Sequence, residues 1–474
     1  MKKYILIILC CLTSFPLWSY NVNMIVEHYS VDQGLPNNTV NCTLKDRDGF
    51  IWFGTWYGLC CFDGVKFKTF NKQEHDSDVP PRKIQRIVED KNGYIWVKTI
   101  DRKLYVFNKV TECFHAVYDD MKNYSENIQV IKLQNTAEGD VLLLTKDKNL
   151  LLAGVDEKGQ VTIKILFDSR DEINKHDYTL KHHVLCETEE YISWIGTDYK
   201  VSAVHKGAEL ASRPADFITS KINSGDKDSF TSFFEDGRKV WVGDRAGIFY
   251  SIDVRTGLVN RYVLSEIKGA ISNLLVTPAG YVYLSVAGQG TYEYDLAERR
   301  LQKINTEMND AMVTHAFIDQ YDKIWFHENE KALIYYDPLN HTAKRFPFTM
   351  FGKITTLYSE DAGERGLFFL SPAGEAWLFD REHVEMVYIN KLKQLSNDRA
   401  NQQFYHLMLD NDGVLWLSSA DEGVYCMNFP KKQFNLLSLS PQSAGRENYA
   451  TGVRALFQSC LLYTSPSPRD LSTS

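Results

Sequence analysis

Short apolar runs alternate with turns rich in Asp, Asn and Gly along the chain, and this alternation recurs at a regular interval. The clearest copy reads DRDGFIWFGT at 46–55, and related copies follow at 90–96 and 410–416. Nine anchor residues mark the copies: Trp52, Trp96, Leu143, Trp194, Trp241, Tyr283, Trp325, Phe369 and Trp416. Successive anchors are 44, 47, 51, 47, 42, 42, 44 and 47 residues apart. This spacing is typical of the blades of a β-propeller.

Each copy predicts four short antiparallel strands. An apolar strand such as 84–88 is followed by a turn whose residues tolerate the backbone of a tight hairpin. The second strand carries the anchor, and the third ends in an aromatic-acid pair such as Phe62-Asp63. One such sheet cannot bury both of its faces, so the repeats must stack as a ring. We therefore predict an all-β propeller with four-stranded blades.

The number of copies bears on domain organisation. A tenth copy begins at 453–458, and nine or ten blades exceed the usual size of a single ring. We predict a seven-bladed first propeller over 20–345 and the beginning of an incomplete second propeller over 346–459. One large ring from Asn21 to about Phe429 is the alternative, because the sequence FPKK at 429–432 also resembles a linker.

Both ends of the chain have features unrelated to the repeats. Lys2 and Lys3 precede an apolar run at 4–17 that is typical of a secretory signal, so we predict cleavage after about residue 19 and export. Residues 460–470 read CLLYTSPSPRD, and a DNA that encodes this peptide resembles the transposase adapter used in shotgun sequencing. We interpret 460–474 as an adapter-derived artefact that cuts the natural chain short.

Composition excludes some classes of partner and cross-link. The formal charge is -8 and no long Lys/Arg run is present, so nucleic acid is not an expected partner. Six cysteines lie between the signal and the tail, without metal-ligand spacing, and we expect buried free thiols. The one disulfide worth considering joins Cys42 to Cys60 or Cys61. We expect no metal and no cofactor.

The first copy is specific enough to suggest a family. GLPNNTV at 34–40, DGFIWFGT at 48–55 and Gly58-Leu59 resemble the two-component regulator propeller repeat. In that family, two seven-bladed propellers form the periplasmic sensor of hybrid two-component systems of gut Bacteroidetes. A β-sandwich, a membrane helix, a histidine kinase, a receiver and a DNA-binding module follow them. Between 130 and 400 the repeat pattern weakens here, and none of the signalling modules is present.

The resemblance implies a function. The chain would be the periplasmic part of a homodimeric receptor, held in the inner membrane by a helix beyond this fragment. Its ligand would be an oligosaccharide, and binding would switch transcription of genes for polysaccharide use. The missing part would be the kinase, so this fragment itself would not be an enzyme.

Enzyme chemistry finds no support in the sequence. No nucleophile elbow, zinc-protease motif, phosphate loop or calcium loop is present. Asp46 and Asp48 lie in a hairpin turn, where a structural role is expected. The alternative function is a propeller-fold polysaccharide lyase or glycoside hydrolase, which clustered acids or a Tyr/His pair at the mouth of the ring would favour.

Propellers bind ligands on the face where loops entering the innermost strands meet the turns between second and third strands. Aromatic side chains there stack on sugar rings, and Arg or Lys donates hydrogen bonds to hydroxyls and carboxylates. The candidate ligand-binding residues are Trp56, Tyr57, Arg82, Lys98, Arg102 and Arg245.

Overall fold

The structure is a computed structural model. The residues that it describes are 25–70, 80–122, 129–147, 149–168, 180–188, 190–196, 201–207, 215–216, 230–304, 313–328, 331–351, 358–361, 366–371, 375–391 and 404–428. The predicted signal, the tenth copy and the adapter-like tail lie outside these ranges. No helix in the described ranges is both long and apolar enough to cross a membrane.

The described residues form nine four-stranded antiparallel sheets, as the repeats predict. The strands are β1 (Ile25–Tyr29), β2 (Val40–Lys45), β3 (Ile51–Thr55), β4 (Gly58–Phe62), β5 (Phe67–Phe70), β6 (Ile84–Glu89), β7 (Ile95–Thr99), β8 (Leu104–Asn108), β9 (Cys113–Ala116), β10 (Val130–Asn135), β11 (Val141–Thr145), β12 (Leu150–Val155), β13 (Val161–Phe167), β14 (Leu180–Glu187), β15 (Tyr191–Gly196), β16 (Val201–His205), β17 (Ala215–Asp216), β18 (Phe230–Glu235), β19 (Lys239–Asp244), β20 (Ile248–Asp253), β21 (Val259–Val263), β22 (Ile271–Val276), β23 (Tyr281–Val286), β24 (Gly290–Asp295), β25 (Arg300–Lys303), β26 (Val313–Ile318), β27 (Ile324–Glu328), β28 (Ala332–Asp337), β29 (Thr342–Pro347), β30 (Tyr358–Asp361), β31 (Leu367–Leu370), β32 (Glu375–Asp380), β33 (Glu385–Lys391), β34 (Phe404–Leu409), β35 (Val414–Ser419) and β36 (Val424–Asn428). Helical structure in the described ranges is limited to α1 (Tyr118–Met121) and two 3-10 turns, Val31–Gln33 and Phe348–Phe351.

Blades 1 to 8 each take four consecutive strands, from β2–β5 for blade 1 to β30–β33 for blade 8. Blade 9 combines β34–β36 with β1, which pairs antiparallel with β36 and places Ile25 opposite Asn428. The first strand of blades 1 to 8, and β34 in blade 9, is the innermost. An all-β propeller fold is thus confirmed.

Every predicted anchor lies on the second strand of its blade, from Trp52 on β3 to Trp416 on β35. The eight anchors other than Trp194 are no more than 5% exposed. Their burial has a common cause, because nine hydrophobic clusters each join two neighbouring blades. The cluster between blades 9 and 1 brings Trp416 to a ring-centroid distance of 5.8 Å from Phe53. The core therefore lies between the blades.

The boundary predicted near residue 345 falls inside one of these clusters. Phe346 of blade 7 packs on Phe379 of blade 8, with ring centroids 5.9 Å apart. The compact unit that contains the sheets extends to Phe429. These contacts favour the single-ring alternative. A seven-bladed first propeller is not confirmed, and the division into two propellers stays a prediction.

The one disulfide that the sequence left open, of Cys42 with Cys60 or Cys61, is not formed. Cys42 lies on β2 and the other two lie on β4, with β3 between them. Two strand spacings amount to about 9–10 Å, whereas bridged Cα atoms are usually less than about 7 Å apart. Cys42, Cys60 and Cys61 are buried free thiols, and burial raises the pKa of Cys42 to about 12.

Candidate ligand-binding site

The ring has two faces with different polar chemistry. The lower face carries the turns between first and second strands and the hairpins between third and fourth strands. The upper face carries the turns between second and third strands and the loops that enter the innermost strands. All six candidate binding residues belong to the upper face or to strand ends beside it.

Acids of the lower-face turns hold the anchors in place. Asp46 accepts hydrogen bonds through Oδ1 from the backbone of Asp48 and Phe50, and through Oδ2 from Nε1 of Trp52 at 2.8 Å. The same bond to the anchor indole recurs in four further pairs, Asp90–Trp96, Asp236–Trp241, Asp319–Trp325 and Asp410–Trp416. The acid of this repeated turn thus has a structural role.

The turn residue changes where the anchor has no indole. Thr136 precedes Leu143, and Thr277 precedes Tyr283. Each threonine still binds its own turn, since Oγ1 of Thr136 accepts from the backbone of Asp140 and Oγ1 of Thr277 accepts from that of Tyr281. Neither anchor offers an indole N–H to a carboxylate.

Asp46, Asp48 and Glu89 place carboxylate oxygens close enough together to hold a metal ion. The ammonium of Lys109 already lies among them, with Nζ at 3.1 Å from Asp46, 2.6 Å from Asp48 and 2.8 Å from Glu89. This lysine comes from blade 2 and joins it to the turn of blade 1. The cluster is therefore an interblade ion-pair network.

Other lower-face cations have similar partners. Lys45 of blade 1 bonds to Asp412 of blade 9 at 2.5 Å, and Nη1 of Arg381 in blade 8 bonds to Asp319 of blade 7 at 2.6 Å. These charged side chains of the lower face thus form ion pairs between neighbouring blades.

Trp56 and Tyr57 form the two-residue upper turn of blade 1, between the paired residues Thr55 and Gly58. Trp56 is 44% exposed and Tyr57 is 60% exposed. The Trp56 backbone is fixed on both sides, because its N–H donates to Thr39 O at 3.2 Å and its C=O accepts from Lys83 N at 2.9 Å. Two large rings thus face solvent on a rigid turn, which suits stacking against a sugar ring.

Basic residues of blade 2 lie next to this turn. The Lys83 ammonium is 5.2 Å from the centroid of the Trp56 ring, within the range of a cation–π contact. Lys83 O accepts from the backbone of Ile100, and Arg102 O accepts from that of Val130 in blade 3, both at 2.9 Å. The upper ends of blades 1, 2 and 3 are therefore tied together by main-chain bonds.

Lys98 is the buried member of the basic group. It is 7% exposed on β7, and its ammonium donates to the carbonyl of Ile131 on the innermost strand of blade 3. Burial, and then the positive charges of Arg102 and Arg86, lower the pKa of Lys98 to about 8. Lys98 supports the surface and joins two blades.

Five of the six candidate residues thus belong to neighbouring blades: Trp56 and Tyr57 to blade 1, and Arg82, Lys98 and Arg102 to blade 2. Arg245 is exposed in the upper turn of blade 5, three blades further along the ring. The structure therefore suggests a surface at blades 1 and 2 with Arg245 outside it.

Sequence reasoning missed Lys83 and Arg86. Arg86 is exposed on the innermost strand and lies opposite Lys98 in the β6–β7 register. The register shifts between Ile84 and Arg86, so Gln85 is the extra residue of a β-bulge. Two consecutive polar residues inside an apolar strand were the available signal. For Lys83 the sequence offered no signal.

Comparisons with known proteins agree with the fold. The profile named Two component regulator propeller matches residues 34–57, which run from the loop before β2 to Tyr57. No match was found among curated protein sequences. The chain is a β-propeller, and residues 34–57 of it are similar to the two-component regulator propeller repeat.

Two solved structures from B. thetaiotaomicron are similar in part. The extracellular domain of BT4673 is 14% identical, with a TM-score of 0.37, over 83% of this chain and 65% of that one. The extracellular domain of BT3049 is 15% identical, with a TM-score of 0.33, over 84% of this chain and 58% of that one. The chain spans less than two thirds of either domain. The Dos1 propeller is 11% identical, with a TM-score of 0.45, over 85% of this chain and 93% of that one.

Proposed function

We propose that the chain is the periplasmic ligand-binding part of a hybrid two-component sensor that recognises an oligosaccharide and controls genes for polysaccharide use. The observation that carries this proposal is the upper surface of blades 1 and 2, where the Lys83 ammonium lies over the exposed ring of Trp56. Tyr57 is exposed in the same upper turn, and Arg102 is exposed in the upper turn of blade 2. Flat rings beside hydrogen-bond donors are the chemistry that recognises sugars.

The match of residues 34–57 to the two-component regulator propeller model supports the sensor class, and Trp56 and Tyr57 are the last residues of that match. In the proposed receptor, export follows from the signal at 1–19, and a helix and a histidine kinase beyond this fragment transmit the binding event. A homodimer is the expected state of the whole receptor. The ligand acts by favouring one of two receptor states.

Binding without turnover fits the polar groups at this surface. Asp101, an acid of the upper turn of blade 2, already has two partners, because its Oδ1 accepts from Thr99 Oγ1 at 2.5 Å and its Oδ2 is 3.4 Å from the ammonium of Lys103. Glycoside hydrolysis uses two carboxyl groups about 5–10 Å apart. Asp101, held by these two partners, does not by itself supply that pair.

The test is calorimetry of the purified chain against a panel of oligosaccharides, followed by analysis of the sugar after long incubation with the best binder. Saturable binding with the sugar recovered intact supports the proposal. Release of shorter or unsaturated sugars would move the protein to the lyase or hydrolase class. Failure of every oligosaccharide to bind would overturn the proposed ligand class.

A further inference from the structure

The upper end of blade 2 gathers five basic side chains in a small part of an acidic protein. Arg82 and Lys83 precede β6, Arg86 and Lys98 lie opposite each other on β6 and β7, and Arg102 follows in the upper turn. Residues directly opposite in an antiparallel pair project their side chains from the same face of the sheet. We name these five residues the blade 2 basic cluster.

In the described ranges, none of these five side chains has an acidic partner. Lys98 donates to a carbonyl and Lys83 lies over the Trp56 ring, while Arg82, Arg86 and Arg102 make no side-chain hydrogen bond or ion pair there. The lower face behaves in the opposite way, since Lys45, Lys109 and Arg381 all bind carboxylates. Pairing between blades therefore does not account for the cluster.

Backbone conformation sets two of the five residues apart. Lys83 has φ 51° and Arg102 has φ 68°, in the left-handed region that favours glycine. The other non-glycine residues with positive φ in the described chain all lie in turns or hairpins of the lower face. Gly247, with φ 82°, occupies in blade 5 the position that Arg102 occupies in blade 2. Each of the two donates its backbone N–H to the carbonyl of the residue three positions before it.

A strained backbone and neighbouring like charges both oppose folding, and the rest of the fold holds such features in place most often at ligand-binding sites. Arg86 lies opposite Lys98 in the strand register, and the positive charges of Arg102 and Arg86 both lower the pKa of Lys98. A bound anion would remove this repulsion. Guanidinium groups are well suited to this, because they bind carboxylate and sulfate oxygens with two parallel hydrogen bonds.

We infer that the blade 2 basic cluster binds a carboxylate or sulfate group, so that the ligand of this surface is an anionic oligosaccharide. Arg86 and Arg102 contact the anionic group, and Lys98 positions the surface from beneath. The rings of Trp56 and Tyr57 take the adjoining sugar. The oligosaccharide part of this inference rests on the proposed function, whereas the anion site does not.

The experiment compares three disaccharides of similar size, one with a uronate, one with a sulfate and one neutral, and also uses sodium sulfate alone. Calorimetry measures affinity, and thermal unfolding measures stabilisation by the sulfate ion against equal ionic strength of sodium chloride. The variants are Arg86→Gln, Arg102→Gly and their combination. Arg245→Gln in the upper turn of blade 5 is the matched control.

We expect at least one anionic disaccharide to bind about tenfold more tightly than the neutral one, or better. The double variant should lose this preference, and Arg245→Gln should keep it. The uronate and sulfate ligands identify which anion is preferred. Stabilisation by sulfate alone should also disappear in the double variant.

Two results separate this inference from the proposed function. If a neutral sugar binds as tightly as the anionic ones and the double variant binds normally, the anion site is overturned and the oligosaccharide sensor stands. If sulfate stabilises the chain through Arg86 and Arg102 while no sugar binds, the anion site stands and the oligosaccharide is overturned. No response to sulfate or to any sugar would overturn both.

Discussion

Trp96 donates its indole N–H to Asp90, with Nε1 2.9 Å from Oδ2, and this bond is one of four that the carboxylate accepts. Oδ1 accepts from the backbone of Asn92 and Tyr94, each at 3.0 Å. Oδ2 also accepts from the backbone of Val155 in blade 3 at 3.2 Å. One buried side chain therefore orders its turn, fixes the anchor and joins two blades.

Asp90→Ala should lower the free energy of unfolding by about 3 kcal/mol or more, because it leaves several buried donors without acceptors. Asp63→Ala is the control, since Asp63 is exposed and accepts only from the backbone of Val65 and Lys66. Its loss of stability should be clearly smaller, because water can replace the lost acceptor at an exposed position. Chemical denaturation followed by circular dichroism gives both values, and equal losses would contradict the role assigned to Asp90.

Gly54→Ala should destabilise the interface between blades 1 and 2 by about 1–3 kcal/mol through overpacking. A Cβ at Gly54 would lie 2.5 Å from Sγ of Cys42 and 2.6 Å from Cγ2 of Ile84. Adding Cys42→Ala to this variant should recover part of the loss. In Gly154→Ala, the control, the new Cβ meets its nearest neighbour at 3.5 Å, so a smaller change in the melting temperature is expected.

Arg102→Gly should leave the free energy of unfolding unchanged or raise it by about 0.5 kcal/mol, although it removes an exposed charged side chain. Relief of the left-handed backbone, worth about 1–2 kcal/mol, outweighs the entropy cost of glycine of about 0.5–1 kcal/mol. Lys103→Gly should have the opposite sign, because Lys103 has no positive φ to relieve. A loss of stability in Arg102→Gly comparable to that in Lys103→Gly would show that the left-handed backbone at Arg102 is not strained.

Affinity for an anionic ligand should fall as the pH rises through about 8, where Lys98 loses its proton. The charged groups that act on Lys98 are Arg102 and Arg86, and the Ile131 carbonyl of blade 3 accepts a hydrogen bond from its ammonium. Lys98→Arg keeps its charge at this pH and should abolish the dependence. Calorimetry between about pH 6.5 and 9.5 covers the titration range of Lys98. A parallel loss of affinity in the wild type and the variant would contradict the role of the Lys98 proton.

The free energy of unfolding should also depend on the Lys98 proton, but it should rise with pH whereas the ligand affinity falls. The folded pKa of Lys98 is below the ordinary lysine value, so the unfolded chain binds this proton more tightly between about pH 8 and 10.5. Its contribution therefore makes the folded state more stable as pH rises across that window. Lys98→Gln should flatten the rise, as measured by denaturation at several pH values.

Trp56→Ala should weaken sugar binding by about 1–3 kcal/mol if its ring is an anchor for the ligand. The melting temperature should change little, because the ring is exposed and the turn is held by backbone bonds. Arg82→Ala is expected to act in the same direction. Unchanged affinity in Trp56→Ala for a ligand that the wild type binds would remove the aromatic surface from the site.

The fold was predictable because its signals are local and repeated. A turn acid six residues before an indole, as in Asp46 and Trp52, can be read in the sequence as a hairpin and an anchor. Ring size could not be derived in this way, because it depends on the angle between blades that many small interface contacts determine. For the same reason, the sequence left open whether the first ring ends near residue 345 or near residue 429.

The candidate site was predictable in part. The face and the exposed turn at Trp56 follow from the position of each segment in the blade. Arg86 was missed because a bulge decides on which side its side chain emerges, and the strand pattern alone does not locate the bulge. Lys83 was missed because a lysine with positive φ has no sequence signature. Arg245 was grouped with the others because sequence spacing does not show how far apart two blades lie.

Pairing of β1 with β36 also constrains how the chain folds. During synthesis, the partner of β1 leaves the ribosome only after all the intervening blades, so β1 must wait as an unpaired strand. Its docking covers one exposed edge of blade 9 and completes a closed circuit. We expect this slow, long-range step to come last, and a chain interrupted before β36 to remain open and prone to self-association.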